Sequence, residues 1–305
     1  MKILITGGAG YVGTVLSYQL ENIADIEEII IYDNLHRGNY NLFIGSSKLK
    51  KKLSFVAGDI LDTRKLKQAL EGVDIVYHLA ATVTTPFADQ DPHFFEQINH
   101  WGTAELVNAV EKSGVKKFIY LSSASVYGDT AEEVDINTPA NPITFYSISK
   151  MRGEEHVSRL SELKIDTYIF RCANVYGYSK SMRFNSVINR FMFNANFTNR
   201  ITINGNGEQQ RSFIHIEKAA STLASLVNTN LVGGKYNLTE NIFSINDIAG
   251  TLKEVYSDLE YLYVNQQLNL HQLKLKPDPF INAMSNTTTP SLRESLEIFK
   301  KAFTF

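Results

Sequence analysis

One cysteine, Cys172, stands among 305 residues, which excludes an intramolecular disulfide and any metal cage built from several thiolates. Seven histidines are present, none at a ligand-like spacing from another histidine or from the cysteine, so no metal site is expected. An excess of charge of one sign is missing too: 30 Lys and Arg against 32 Asp and Glu leave a net charge of −2, which argues against nucleic acid as a partner. The single basic run, Lys48, Lys50, Lys51 and Lys52, reads as a solvated face before a strand and receives no function. No apolar stretch approaches the roughly 20 residues that span a bilayer, so no membrane role is expected. Met1 leads straight into a strand pattern without a secretory leader, and the lone thiol suits a reducing compartment, so a cytoplasmic location is the expectation. Two glycosylation-type triplets, Asn196-Phe197-Thr198 and Asn286-Thr287-Thr288, then read as chance.

What is present is a repeated alternation of short apolar runs, Gly- or Asp-bearing turns and helical patterns. Strands are predicted at Lys2–Ile5, Glu28–Tyr32, Leu53–Ala57, Asp74–His78, Lys116–Leu121 and Asp166–Arg171. Helices are predicted from Tyr11 to about Ala24 and at Arg64–Leu70, His93–Lys112 and Tyr146–Leu163. Apolar strands separated by helices imply an α/β fold: a doubly wound parallel sheet of Rossmann type, covered on both faces. After about Asn174 the rhythm changes to a helix at Asn185–Asn196, a strand at Arg200–Ile203, a turn at Asn204–Gly207 and a last helix near Leu292–Ala302. The expected organisation is a dinucleotide-binding domain over 1–173 and a smaller substrate-binding lobe over 174–305, with parts of 209–240 returning to the sheet. Phe184, Phe191, Phe193 and Phe197, at near-helical spacing, read as core of that lobe.

The loop Gly7-Gly8-Ala9-Gly10-Tyr11-Val12-Gly13 lies between the first strand and its helix. Glycines at 7, 10 and 13 let the backbone turn tightly and approach a pyrophosphate, which the helix N-terminus then receives on free N–H groups. Asp33 ends the second strand about 20 residues later, where a carboxylate meets the adenosine ribose hydroxyls and repels a 2′-phosphate, favouring NAD. Asp59, in Gly58-Asp59-Ile60, offers a second carboxylate suited to the adenine amino group.

Tyr146 and Lys150 open a helix four residues apart, which places both side chains on one face. A phenol with an ordinary pKa near 10 acts as a base near neutral pH only if neighbouring positive charge draws it down by about 3 units. Leu121-Ser122-Ser123-Ala124-Ser125-Val126-Tyr127-Gly128 follows the fifth strand and sets hydroxyls at the same carboxyl edge of the sheet. His215 reads as structural, and His36, in the loop after Asp33, reads equally as an edge of an adenosine site or as a solvent-exposed turn residue.

Taken with His78-Leu79-Ala80-Ala81, Asn99, Arg171-Cys172-Ala173-Asn174-Val175-Tyr176-Gly177 and Arg211-Ser212-Phe213-Ile214-His215-Ile216, these segments resemble the extended short-chain dehydrogenase/reductase family. The likeness is to its sugar-nucleotide epimerases and dehydratases, of the UDP-glucose 4-epimerase type, and spans roughly residues 1–240. It implies NAD as cofactor and a nucleotide sugar as substrate. Tyr146 would be the acid/base on the sugar hydroxyl, Lys150 would hold the nicotinamide ribose and lower the phenol's pKa, and Ser123 would bond the reacting oxygen. Gly7, Gly10, Tyr11, Val12, Gly13, Asp33, Asn34, Asp59, Ile60, Leu79, Ala80, Ala81, Asn99 and Ser122 would join Tyr146 and Lys150 around the cofactor. Thr84, Ser123, Asn174, Asn185 and Arg211 would contact the substrate, the arginine with a fork suited to phosphate. Many relatives dimerise through the helices corresponding to His93–Lys112 and Tyr146–Leu163, so a homodimer is implied.

The reaction within that family turns on Ser123-Ala124-Ser125. Its 4,6-dehydratases carry Thr-Asp-Glu there and its uronic-acid decarboxylases a terminal Glu, whereas this chain has neither acid. Epimerisation at C4 through a transient 4-keto sugar is therefore the expectation. A 4-keto-sugar reductase or dehydratase, and a non-catalytic NAD-binding scaffold, remain as alternatives. One departure is that no arginine lies between Arg211 and Arg293, where relatives place a second phosphate-binding one. Lys276-Pro277-Asp278 is the candidate replacement.

Overall fold

The computed structural model describes residues 1–44, 52–83, 91–264, 272–284 and 288–303. In chain order the first elements are β1 (Lys2–Thr6), α1 (Tyr11–Glu21), β2 (Glu28–Asp33), β3 (Leu53–Ala57), α2 (Thr63–Ala69) and β4 (Ile75–His78). Next come α3 (Pro92–Phe95), a π-helical stretch (Glu96–Trp101), α4 (Gly102–Val110), β5 (Lys117–Ser123), β6 (Glu133–Val134), α5 (Phe145–Ser158) and β7 (Asp166–Cys172). The later chain forms β8 (Asn174–Tyr176), α6 (Val187–Thr198), β9 (Arg200–Asn204), β10 (Gln210–His215), α7 (Ile216–Ser225) and β11 (Gly234–Leu238). It ends with β12 (Asn241–Ser244), α8 (Ile245–Val255), β13 (Glu260–Val264), β14 (Lys274–Leu275), α9 (Pro279–Met284) and α10 (Leu292–Ala302).

Seven strands form one parallel sheet in the order β11-β7-β5-β4-β1-β2-β3. The order reverses between β1 and β4, and a crevice opens outside the carboxyl ends at such a switch point. Both faces of the sheet are covered, which is why its strands read as unbroken apolar runs: Ile3, Ile5 and Ile31 pack on one side with Leu16 and Leu223. Leu4, Ile30 and Val76 pack on the other with Leu106, Val110 and Val157. The last sheet strand, β11, comes from the later half of the chain, and α7 supplies Leu223 to the same face as α1.

The remaining late elements have their own core, in which Phe191, Met192, Ile201, Ile203, Ile248, Leu252, Leu296 and Phe299 meet. Here one expectation fails. The buried stripe of α6 is Ile188, Phe191, Met192 and Ala195, so Phe193 and Phe197 fall off it; with Phe184 they stack on one another at the surface. The helix predicted over His93–Lys112 is interrupted by the π-helical stretch, and α5 gives way to a 3₁₀ turn at Arg159–Leu163. Among the described residues, no helix is long and apolar enough to cross a membrane, and no group of three or more metal-ligating side chains gathers.

Candidate active site

A cleft of about 1010 Å³ runs along the carboxyl edge of the sheet, between it and the late-chain lobe. Gly7, Gly10, Tyr11, Val12 and Gly13 form its floor at the first βα turn. Gly13 has no room for a side chain: a Cβ there would meet the Gly8 Cα at 2.6 Å and the Gly7 and Gly8 carbonyl oxygens at 2.7 Å. Helix α1 starts from Gly10 with no side-chain cap, so its first N–H groups are left for an anion. This cradle fits a dinucleotide pyrophosphate.

Asp33, Asn34, Ile60, Leu79, Ala80 and Ala81 line the same end of the cleft. The Asp33 carboxylate accepts from the Ala9 N–H (3.1 Å) and the Leu35 N–H (2.9 Å); burial still raises its pKa above the usual carboxylate range. Asp59 lies behind this wall, outside the cleft lining, accepting from the Asn34 amide at 3.0 Å and from the Leu61 N–H at 2.9 Å. Asn99 is also outside the lining. It sits on the π-helical stretch, accepts from the Thr82 N–H (2.8 Å), and donates to the Thr82 carbonyl (2.9 Å) and to Ser149 Oγ (3.1 Å). Asn99 thus holds the strand-end loop carrying Leu79 to Ala81 in place, and the wider π turn delivers it there. Thr84 lies outside the described residues.

The reactive groups come from β5 and α5. Thr144 caps α5 through a capping box with Ser147, fixing where the helix starts and therefore where Tyr146 projects. Tyr146, Lys150, Ser122 and Ser123 all reach the cleft. Ser123 Oγ accepts from the Ser125 N–H at 3.2 Å, and the two hydroxyls are 2.9 Å apart. Burial raises the Tyr146 phenol, while the Arg183 guanidinium and a hydrogen bond with Ser123 hold it down. Lys150 is only 2 % exposed; its Nζ lies 4.2 Å from the centre of the Tyr120 ring. Burial brings that amine down to about 7, against the opposing pull of Glu154.

The opposite wall belongs to the late-chain lobe. Asn174, Asn185 and Arg211, the positions the family resemblance points to, line it, and Asn174 donates to the Ser212 carbonyl at 3.1 Å. Two cations escaped the sequence reading. Arg190, on α6, lines the cleft close enough to Arg211 for their like charges to act on each other, and burial lowers the pKa of both. Arg183 lines it too, with its Nε buried and without a hydrogen-bond partner among the described residues. The stand-in expected at Lys276 does not reach the cleft lining: that residue follows β14, its N–H bonded to the Val134 carbonyl at 2.8 Å. Arg190 and Arg183 precede Arg211 in sequence, so a search confined to the residues after it passes them by.

The two walls are sewn together at the dinucleotide loop. Tyr11 Oη donates to the Gly177 carbonyl at 2.6 Å and accepts from the Asn189 amide at 3.1 Å, while Thr14 Oγ1 donates to Ser181 Oγ at 2.9 Å. Tyr11 therefore turns its hydroxyl away from the groove and into the lobe.

Comparison with known proteins agrees with this geometry. A family profile described as the NAD dependent epimerase/dehydratase family matches residues 3–239. The mouse protein named dTDP-D-glucose 4,6-dehydratase is 32% identical over 273 residues, covering 85% of this chain and 75% of its own. The Methanocaldococcus jannaschii protein named putative UDP-glucose 4-epimerase is 31% identical over 255 residues, covering 80% of each. The solved structure of UDP-glucuronic acid 4-epimerase from Bacillus cereus, in complex with UDP-glucuronic acid and NAD, superposes with a TM-score of 0.86 at 25% identity, over 99% of this chain and 98% of that one.

Proposed function

Because the chain belongs to the NAD dependent epimerase/dehydratase family, whose cofactor is NAD, we propose that it inverts C4 of a nucleotide-diphosphate hexose. The observation that carries this reading is the acid-free Ser123-Ala124-Ser125 segment beside Tyr146 on one cleft wall. Eliminating water from the sugar needs a proton donor near the departing hydroxyl. Serine hydroxyls can orient an oxygen but are poor proton donors, so this wall suits reversible oxidation better than dehydration.

In this reading Tyr146 takes the proton of the C4 hydroxyl and later returns it, and Ser123 holds the oxygen throughout. NAD, held along the Gly7–Gly13 loop and beside Asp33, would supply the hydride acceptor and donor. Arg183 on the other wall holds the phenol down, and Lys150, one helical turn along α5, is read as holding the nicotinamide ribose and adding its positive charge. Arg190 and Arg211 grip the diphosphate, so the sugar can turn over while its nucleotide stays anchored. Asn174 and Asn185 complete that wall. The reading also includes a homodimer through the outer faces of the helical run over 93–112 and of α5; on the π-helical stretch of that run Trp101 is 57% exposed and stacks on His100, and light scattering decides the oligomeric state.

The test is purified protein with NAD and a panel of UDP-, GDP-, CDP- and dTDP-hexoses. The expected result is a C4 isomer with no net change in reduced cofactor. A dehydrated keto sugar assigns a dehydratase, net consumption of reduced cofactor assigns a reductase, and no turnover with any sugar leaves a binding protein; each overturns the proposal.

A further inference from the structure

Three side chains follow one another at four-residue intervals along α5: Tyr146, Lys150 and Glu154. The first two reach the cleft. Glu154 does not: it is 1% exposed and faces the sheet beneath them. Its Oε1 accepts from Ser122 Oγ at 2.6 Å and from Arg171 Nε at 3.2 Å, and its Oε2 accepts from an Arg171 terminal nitrogen at 2.9 Å. Lys235, on β11, approaches Oε2 at 3.6 Å. Arg171 is itself buried, with its guanidinium carbon 4.7 Å from the centre of the Tyr127 ring, and Tyr127 donates to Asn237 at 2.8 Å. One carboxylate thus joins α5 to three neighbouring strands.

The partners are placed meaningfully. Ser122 precedes Ser123 and Arg171 precedes Cys172, so the bonds fix the two strand ends against which Tyr146 and Lys150 stand. The approach is close: a Cβ on Gly153 would meet the Tyr120 hydroxyl at 2.4 Å and the Asn99 carbonyl at 3.0 Å. The charges are placed as well. Around Lys150 stand Tyr120 from β5, Cys172 from β7, His78 from β4, and Tyr146 and Glu154 from its own helix. Burial keeps the thiol and the imidazole neutral, and Arg171 lies on the far side of Glu154. Of these groups Glu154 alone is negative. A buried carboxylate is costly unless cations and hydrogen bonds surround it, and here both strands supply them.

We propose that Glu154 is a positioning residue for the Ser123, Tyr146 and Lys150 set: it locks α5 to β5 and β7, and it sets a buried negative charge one helical turn along from Lys150. The inference rests on the reading of Tyr146 and Lys150 as the reactive pair, not on which sugar they act upon. A merely structural ion pair with Arg171 would stabilise the fold and leave the Lys150 titration untouched.

The experiment follows the Lys150 titration by NMR of protein labelled at lysine Cε, with Lys150→Met identifying the signal, in the absence of any sugar. Glu154→Gln keeps the shape and the Ser122 bond but removes the charge; the Lys150 midpoint is expected about 1–2 pH units lower, and Glu154→Asp to restore it. In the NAD-loaded enzyme the basic limb of kcat should move down by the same amount. If Glu154→Gln does not fold, Arg171→Gln serves: with Glu154 freed from its cation, the midpoint should rise. An unmoved midpoint in whichever folded variant is measured overturns the proposal. Because no substrate is present, that outcome leaves the epimerase reading standing, and failure to find a C4 isomer leaves this one standing.

Discussion

The hydroxyls of Ser123 and Ser125 lie 2.9 Å apart on the cleft wall that also carries Tyr146. Ser123 additionally lowers the phenol through a hydrogen bond, so it acts on substrate oxygen and base alike. Ser123→Ala is expected to reduce kcat by about 10- to 100-fold, the worth of one hydrogen bond to a charged group, with NAD affinity unchanged. The sign of the pH effect follows. Losing a bond that favours the phenolate raises the Tyr146 pKa, so the acid limb of the kcat profile should move to higher pH. Ser125→Ala, which leaves that bond in place, should cost less than tenfold. Equal losses in the two variants would remove Ser123 from the reacting set.

Lys150 offers a test through stability. Its amine titrates at about 7 in the folded protein and near 10.4 in an unfolded chain. Between those values the unfolded state binds more protons, so stability should rise with pH across the window and be lowest below pH 7, where the buried amine is charged. Lys150→Met removes this penalty. At pH 6.5 the methionine variant without cofactor should be more stable than the parent by on the order of 3 kcal/mol, the gap closing toward pH 10. Denaturant titrations at pH 6.5 and 9.5 measure it, and a pH-independent difference would contradict the assignment.

The fold was legible because strand burial on both faces leaves continuous apolar runs, and because glycines 7, 10 and 13 answer to a steric demand local to one turn. The Tyr146 and Lys150 pair was legible because a helix converts a spacing of four into proximity. Arg190 was not, since it comes near Arg211 only once the late-chain lobe has folded, and no sequence spacing encodes that meeting. Asn99 illustrates the middle case. The sequence marked it as belonging to the cofactor region, but its part is to hold Thr82, which depends on a π-helical turn that periodicity does not announce. Phe193 and Phe197 misled for a related reason: apolar side chains at near-helical spacing mark a face, not which face is covered.

Gly13 carries the sharpest steric prediction. A methyl group there would stand 2.6–2.7 Å from the Gly8 Cα and the Gly7 and Gly8 carbonyls, all backbone, so the loop itself has to move. Gly13→Ala should therefore weaken NAD binding by about tenfold or more, as the helix N–H groups leave their position opposite the pyrophosphate. Titration of NAD by calorimetry or fluorescence gives the value, and unchanged affinity would place the pyrophosphate elsewhere.

Arg190 and Arg211 carry the substrate side. Each lines the cleft with its charge partly desolvated, and Arg211 feels the like charge of Arg190 against the opposing pull of Asp129, so a diphosphate entering the cleft meets two cations. Replacing either with glutamine should raise KM for the nucleotide sugar by about 10- to 100-fold, with kcat falling far less, since the diphosphate is held equally in ground and transition states. The double variant should lose less than the product of the two, because removing one cation also relieves the repulsion felt by the other. Free UDP gives a second readout: its affinity should weaken in both single variants and fall with added salt in the parent. Losses confined to kcat, with KM and UDP binding intact, would move these arginines from the diphosphate to the reacting sugar.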